Sequence, residues 1–251
     1  MNEAASPLRI HGITDVGVVR DNNEDAIAYD EPRGFAILAD GMGGHNAGEV
    51  ASQLTVKTVE AMLNDAMRGG ESPDDVPDLI NTAVQQANMA VYERSKLIAD
   101  CKGMGTTVVV ACVEDETLHI ANVGDSRLYL YRENTLHQVT RDHSLVADMV
   151  EKGFLSPEEA QNSNQKNIIT RAIGLQAEIE VDLYQQPMNQ GDMFLLCSDG
   201  LSDVVNDAQI QASLEAEELD DLEALSQQLV KQALQAGGPD NISVILMQAP
   251  A

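Results

Sequence analysis

The apolar positions of this chain change period as it is read. LRIHGIT, DAIAYD and GFAILAD, between Leu8 and Asp40, are apolar blocks of strand length. Then the period lengthens: Ala47, Val50, Ala51, Leu54, Thr58, Ala61 and Met62 recur at helical spacing and predict a helix with that face inward. RGGESPDD, residues 68–75, predicts a loop. Ile80, Val84, Ala87 and Val91 mark one face of a second helix. TTVVVACVE predicts a fully buried strand, and TLHIANV follows it after turn residues Glu114 to Glu116. RLYLYR alternates, with Leu128 and Leu130 on one face and Tyr129 and Tyr131 on the other; TLHQVT reads as its hairpin partner.

Residues 144–166 break that rhythm. SLVADMVEKG predicts a short amphipathic helix ended by Gly153. SPEEA predicts a helix start, with Ser156 as N-cap, Pro157 in the first turn and Glu159 closing a capping box. Two short helices among strands suggest a small flap subdomain. Strands return at EVDLYQ and DMFLLCSD; a last helix carries Leu222, Leu225, Leu229 and Ala233; NISVILMQ is the final strand. The order lacks the steady strand–helix alternation of a parallel sheet. It predicts an α+β fold, antiparallel sheets covered by helices.

Composition narrows the function. The 251 residues suffice for one large domain, with no repeats or Pro-rich linkers. No apolar run approaches the roughly 18 residues of a membrane helix, and the N-terminus has no signal-like pattern, so a soluble cytoplasmic protein is expected. Cys101, Cys112 and Cys197 have no paired spacing, which argues against a disulfide framework or a zinc site. Cys112 and Cys197 sit in apolar strands as fillers, and Cys101 is the one open to exposure. The formal charge of −26 argues against nucleic-acid or anionic-membrane partners.

Some carboxylates fall where solubility does not need them. Asp40 ends GFAILAD before Gly41, Asp125 follows TLHIANVG, Asp199 ends DMFLLCSD before Gly200, and Asp240 precedes NISVILM. Taken singly, each reads as a turn. If the last strand runs antiparallel to its neighbours, all four converge on one sheet edge, where Asp25 of RDNNEDA could join them. Converging carboxylates repel and call for a cation. An all-oxygen donor set suits Mg²⁺ or Mn²⁺. Two such ions sharing a carboxylate make a hydroxide nucleophile for in-line attack on phosphorus. Gly41 can offer its carbonyl with no side chain in the way, and Gly43 and Gly44 leave room for a substrate.

VVRDNNEDA, ADGMGGH, MGTTVVVA, ANVGDSRLYLYR, TRDHS, ITRAIG, CSDGLSD and GGPDNISVI occur in this order. Together they resemble the metal-dependent Ser/Thr protein phosphatases of type 2C in their compact bacterial form, from about residue 8 to residue 248. The resemblance implies a four-layer αββα sandwich over residues 1–251, two antiparallel sheets between helix pairs, with a flap at about 144–169. It implies a binuclear Mn²⁺/Mg²⁺ centre. Asp40 would bridge the two metals, Gly41 would give its carbonyl to one, Asp199 and Asp240 would bind the other, and Asp25 would act through metal-bound water. A third, weaker site would use Asp125 with Asp199. Arg20 matches the phosphate-binding arginine, a role its bidentate guanidinium suits. Glu24 would support the ligands from behind. Direct attack by water needs no phospho-enzyme, and the thiol-phosphatase signature is absent.

The chain departs from the pattern in two places. Many eukaryotic relatives have DGHGG; here Met42 stands at the His position and His45 follows three residues later. His45 and a metal-bound water are the two candidates for general acid. His143 in TRDHS is expected to pack and hydrogen-bond. In the flap, relatives often carry His-Pro where this chain has Ser163-Asn164. The expected partners are phospho-Ser and phospho-Thr proteins, preferably with basic or neutral flanks, and an opposing Ser/Thr kinase. The competing reading is a phosphoprotein-binding pseudophosphatase. Retention of Asp25, Asp40, Asp125, Asp199 and Asp240 weighs against it.

Overall fold

Among the described residues, eleven strands account for most of the apolar blocks: β1 (Arg9–Asp15), β2 (Asp25–Asp30), β3 (Phe35–Met42), β4 (Gly105–Thr106), β5 (Val108–Glu114), β6 (Thr117–Val123), β7 (Arg127–Arg132), β8 (Thr135–Gln138), β9 (Asp182–Pro187), β10 (Met193–Cys197) and β11 (Ile242–Gln248). The computed structural model describes residues 8–44, 47–68, 75–161, 163–216 and 221–249. One sheet has the order β1-β11-β10-β7-β8; the other has β2-β3-β5-β6-β9, with β4 paired to the end of β3. The pairings are antiparallel. The helices among the described residues are α1 (Ala47–Ala66), α2 (Val76–Leu97), α3 (Leu145–Glu151), α4 (Pro157–Gln161), α5 (Asp199–Ser202), α6 (Asp207–Ala216) and α7 (Leu222–Gln235).

Alternation along each strand builds three cores. Phe35, Ile37 and Ala39 of β3, with Val108, Val110 and Cys112 of β5, pack under α1 and α2. The residues between them, Ala36, Leu38, Val109 and Ala111, meet Phe194, Leu196, Ile245 and Met247 of the other sheet. That sheet's outer face, with Tyr129, Tyr131, Leu195 and Val244, packs under α6 and α7. The result is the expected four layers. RLYLYR divides as its alternation requires, leucines between the sheets and tyrosines toward the helices.

Three expectations are corrected, and one helix appears that the pattern does not predict. First, β3 does not turn at Asp40; it continues through Gly41 and Met42, which pair with Thr106 and Gly105. Second, the inward face of α1 is Ala47, Ala51, Ser52, Thr55, Val56, Val59 and Leu63. Val50, Leu54 and Met62 lie at its margin, Thr58 is half-buried, and Ala61 is exposed. In its first turns the helix lies so close to β3 that small residues, Ala47, Gly48, Ala51 and Ser52, fill the inward face, which Val56, Val59 and Leu63 then continue. Third, α6 is a helix for which the apolar pattern makes no prediction, because Ile210 and Leu214 are its only large apolar residues. Its signal is a capping box: Gln209 donates its N–H to Asn206 Oδ1 (3.0 Å), and Asn206 donates its N–H to Gln209 Oε1 (3.0 Å). Fourth, Cys101 is buried, as are Cys112 and Cys197. Burial pushes the Cys112 and Cys197 thiols up to about 12.

The capping box at Ser156 forms as expected: Glu159 donates its N–H to Ser156 Oγ (3.2 Å), and Ser156 donates its N–H to Glu159 Oε2 (2.8 Å). Ser144 caps α3. Helices α3 and α4 cover a cavity of about 810 Å³ whose floor includes Asp125, Asp199 and Asp203. Lys166 ties this segment to the floor by an ion pair with Asp203 (2.8 Å). Most of the RGGESPDD loop, residues 69–74, lies outside the described residues. Among those described, no helix is long and apolar enough to cross a membrane.

Candidate active site

The antiparallel pairing of β2 with β3 sets Asp25 directly across from Asp40. Both belong to one sheet. Asp199 opens α5 just past the end of β10, and Asp240 stands two residues before β11, at the end of the other sheet. Asp125 follows β6 through Gly124. The carboxylates therefore converge between the ends of two facing sheets, not along the edge of one.

Hydrogen bonds stitch the sheets together at this point. Ser198 Oγ and Ser243 Oγ both donate to Asp25 Oδ2, at 2.9 and 2.6 Å. The Asp40 backbone is held from three sides: its N–H donates to Thr107 Oγ1 (3.0 Å), and its carbonyl accepts from Thr106 Oγ1 (2.7 Å) and from the Thr107 N–H (2.9 Å). Arg20 Nη2 reaches Asp240 Oδ2 at 2.6 Å. Glu24 rests its carboxylate against Gly48 in the first turn of α1.

The electrostatics are those of an uncompensated acid cluster. Burial, then repulsion from Asp25, Asp199, Asp125 and Asp240, holds the Asp40 carboxyl well above the usual range. Burial, with repulsion from Asp125, Asp203, Asp240 and Asp25, does the same to Asp199. Burial pushes Asp25 up to about 6 despite the two serine hydroxyls. Burial, followed by the Asp142 charge, pushes Asp125 up to about 6. Burial also raises Glu24, and the hydrogen bond to Asp240 raises Arg20.

These shifts have a measurable sign. A carboxyl that titrates near 6 when folded and near 4 when unfolded binds its proton more tightly in the folded chain. Protonation then favours folding. Chelator-treated protein is expected to gain stability as pH falls from about 7.5 to about 5, on the order of 1 kcal/mol for each of Asp25 and Asp125. Melting temperature against pH in EDTA reads this directly. A Tm that falls steadily over that window would contradict the assigned repulsion.

The donors present fit a hard divalent cation. Among the described residues they are carboxylate oxygens with no thiol or imidazole, and Asp25 Oδ1 and Glu24 Oε1 are buried without a hydrogen-bond partner. Among the described residues, no three His, Cys, Asp or Glu side chains already close into a ligand cluster. An ion here would complete its shell with water and backbone carbonyl oxygen, as Mg²⁺-type ions do.

The structure brings Arg20, Asp25, Asp40, Asp125, Asp199 and Asp240 into one electrostatic network, with Glu24 and Gly41 beside it. His45 lies outside the described residues. His143 is buried and bonded: its Nδ1 accepts from the Gly124 N–H (3.0 Å), and Nε2 faces Asp182 Oδ2 at 3.1 Å. Gly41 has a reason beyond its carbonyl. A Cβ there would run into the backbone oxygens of Gly48 and Glu24, so the close seating of α1 on β3 requires glycine.

Sequence reasoning passed over the residues that position these groups. Asn241 is the chief one. Its Nδ2 donates to the carbonyls of Val16 (3.0 Å) and Asn22 (2.9 Å), and its Oδ1 accepts from the Glu24 N–H (2.8 Å). A single buried amide thus fixes the loop of Arg20, Glu24 and Asp25 to the strand that follows Asp240. Asn241→Ala is expected to cost about 3 kcal/mol, with three partners left unpaired, and to lower the melting temperature by about 6–12 °C. A shift under 2 °C in a thermal melt would remove this role. Ser198, Ser243, Thr106 and Thr107 were visible only as neighbours within motifs.

The profile described as protein phosphatase 2C matches residues 18–241. The serine/threonine protein phosphatase PstP of Mycobacterium tuberculosis is 41% identical over 239 residues, which are 95% of this chain and 44% of that protein. This chain thus spans less than half the length of that relative. The serine/threonine phosphatase stp of Listeria welshimeri is 36% identical over 241 residues, 94% of this chain and 93% of that one. A crystal structure of the PstP catalytic domain in complex with two manganese ions superposes with a TM-score of 0.86 at 37% identity, covering 96% of this chain and 97% of that one.

Proposed function

This chain belongs to the protein phosphatase 2C family, and on that premise we propose that it hydrolyses phosphoserine and phosphothreonine in proteins with the help of divalent cations. The observation that carries the reading is the set of carboxylates from both sheets, held with raised proton affinity against each other's charge. A manganese-bearing relative supports the choice of Mn²⁺ or Mg²⁺. Asp40, Asp25, Asp199, Asp240 and the Gly41 carbonyl would hold two such ions, and Asp125 with Asp199 a third, weaker one. When bound, the ions supply an acidified water and positive charge for the phosphoryl group.

The chain's own groups do the rest. Ser198 and Ser243 keep one oxygen of Asp25 occupied and leave the other, buried and without a partner, for a cation. Thr106 and Thr107 lock the backbone of Asp40 in register. Arg20 exchanges its bond to Asp240 for the phosphate oxygens of the substrate, a fork well matched to two of them. Glu24 holds the first turn of α1 in position. His45 is a candidate to protonate the leaving alkoxide. The proposal treats residues 1–251 as one catalytic unit in which residues 144–169 form a flap that gates access. A cytoplasmic setting and an opposing Ser/Thr kinase belong to the same proposal. The three cysteines, all free, accord with a reducing compartment.

The test is phosphate release from a phosphothreonine peptide in Mn²⁺, after chelation, and in the Asp199→Asn variant. Activity should fall by about a thousandfold or more on chelation and by at least a hundredfold in the variant. Turnover that survives EDTA would overturn the metal reading. A chain that binds phosphopeptides without turning them over in any divalent ion would be the pseudophosphatase.

A further inference from the structure

Among the described residues, eleven large apolar side chains are exposed, and three of them share one four-residue turn: Val16 at 37%, with Val18 and Val19 at 66% each. Single exposed apolar residues need no explanation. This turn differs because it is clamped. The Gly17 N–H donates to Asp15 Oδ1 (2.8 Å), the Val18 N–H donates to the Gly238 carbonyl (3.0 Å), and Asn241 holds the Val16 carbonyl (3.0 Å). Gly17 has φ +77°, and a Cβ there would strike the Asp240 carbonyl. The turn is therefore pressed onto the loop that carries Asp240. Valine side chains are stiff at χ1, so the two point outward at little further entropic cost. The next residue, Arg20, holds Asp240.

An uncharged, rigid, two-residue apolar surface thus adjoins the proposed phosphate seat without a break in the chain. We propose that Val18 and Val19 form a recognition ledge for an apolar side chain flanking the phosphorylated Ser or Thr of the substrate. This rests on the phosphatase reading and deepens it. With Arg20 on the phosphate, neighbouring substrate residues lie within reach of the two preceding side chains, since adjacent Cα atoms are about 3.8 Å apart. The occupant is apolar because a chain of net charge −26 repels acidic flanks and the ledge offers a cation nothing to bind. A rigid ledge also spares the substrate the entropy of ordering a loop.

The experiment uses the Mn²⁺-loaded protein and phosphothreonine peptides with Leu or Ser scanned through the two positions on each side of the phosphoresidue. Wild type should favour Leu at one position by about tenfold in kcat/KM, carried by KM. In the V18S/V19S double variant that ratio should fall below about twofold, and in V19I it should persist. Both valines are exposed, so neither substitution threatens the core. No preference above twofold at any position, or a preference unchanged in the double variant, overturns the ledge. So does concentration-dependent dimerisation abolished by V18S/V19S with no peptide preference, which would make a second copy the occupant. Failure of wild type to hydrolyse any of the peptides would instead overturn the phosphatase reading.

Discussion

Asp40→Asn is expected to lower Mn²⁺-dependent phosphopeptide hydrolysis by about a thousandfold or more while leaving the metal-free protein as stable as wild type, or more so. The two halves have one cause. Asp40 sits where four other aspartates repel it, and its carboxyl titrates well above the usual range. Removing the charge relieves that repulsion but withdraws the oxygen donor that the cations would share. Backbone hydrogen bonds through Thr106 and Thr107 do not involve the side chain, so the strand should hold. Steady-state kinetics, Mn²⁺ titration calorimetry and thermal melts in EDTA read the three quantities separately. Activity within tenfold of wild type would remove Asp40 from the centre. A drop in metal-free Tm of more than 5 °C would show that its charge is compensated by a partner not identified above.

Gly41→Ala should be among the most damaging single methyls near this site. The added Cβ has nowhere to go: the carbonyls of Gly48 and Glu24 already fill the space, and neither is a flexible side chain. Either α1 lifts from β3 or the strand bends, and both displace Asp40. A loss of about 3 kcal/mol or more is expected, read as a Tm lower by about 6–12 °C, with activity falling in step. Gly44→Ala is the matched control. A Cβ there meets nothing within 4 Å, so its Tm should stay within about 2 °C. Equal melting temperatures for the two variants would show that α1 can move away at no cost.

The signals for the fold and for the site differ in kind in this sequence. Strands were legible because their alternation divides cleanly between cores: Leu128 and Leu130 against Tyr129 and Tyr131 is the plainest case. The capping box at Ser156 was legible because a cap is local chemistry, settled within four residues. The face of α1 is legible only in part: Ala47 and Ala51 lie inward as the spacing predicts, but Ser52 and Thr55 do too, and polar side chains carry little weight in a periodicity. Helix α6 was missed for the related reason that two apolar residues make a weak stripe, although its Asn206–Gln209 cap was in plain view. In the site, the aspartates stood out by their strand-end positions and by resemblance. Asn241 and the serines on Asp25 did not, since their partners lie about two hundred residues away in the chain: 217 separate Glu24 from Asn241 and 218 separate Asp25 from Ser243. Long-range hydrogen bonds of this type leave no local trace.

The seam formed by Ser198, Ser243 and Asp25 has a thermodynamic corollary. The candidate cation donors come from both sheets, so no fragment retaining only one sheet keeps the set. An ion bound there distinguishes the fully docked sandwich from every partly opened form, and linkage then directs its binding energy to global rather than local unfolding. Mn²⁺ should therefore slow exchange of the most protected amides of β3 and β11 together, though they lie in different sheets. Occupancy of the centre would set how cooperatively the two layers unfold.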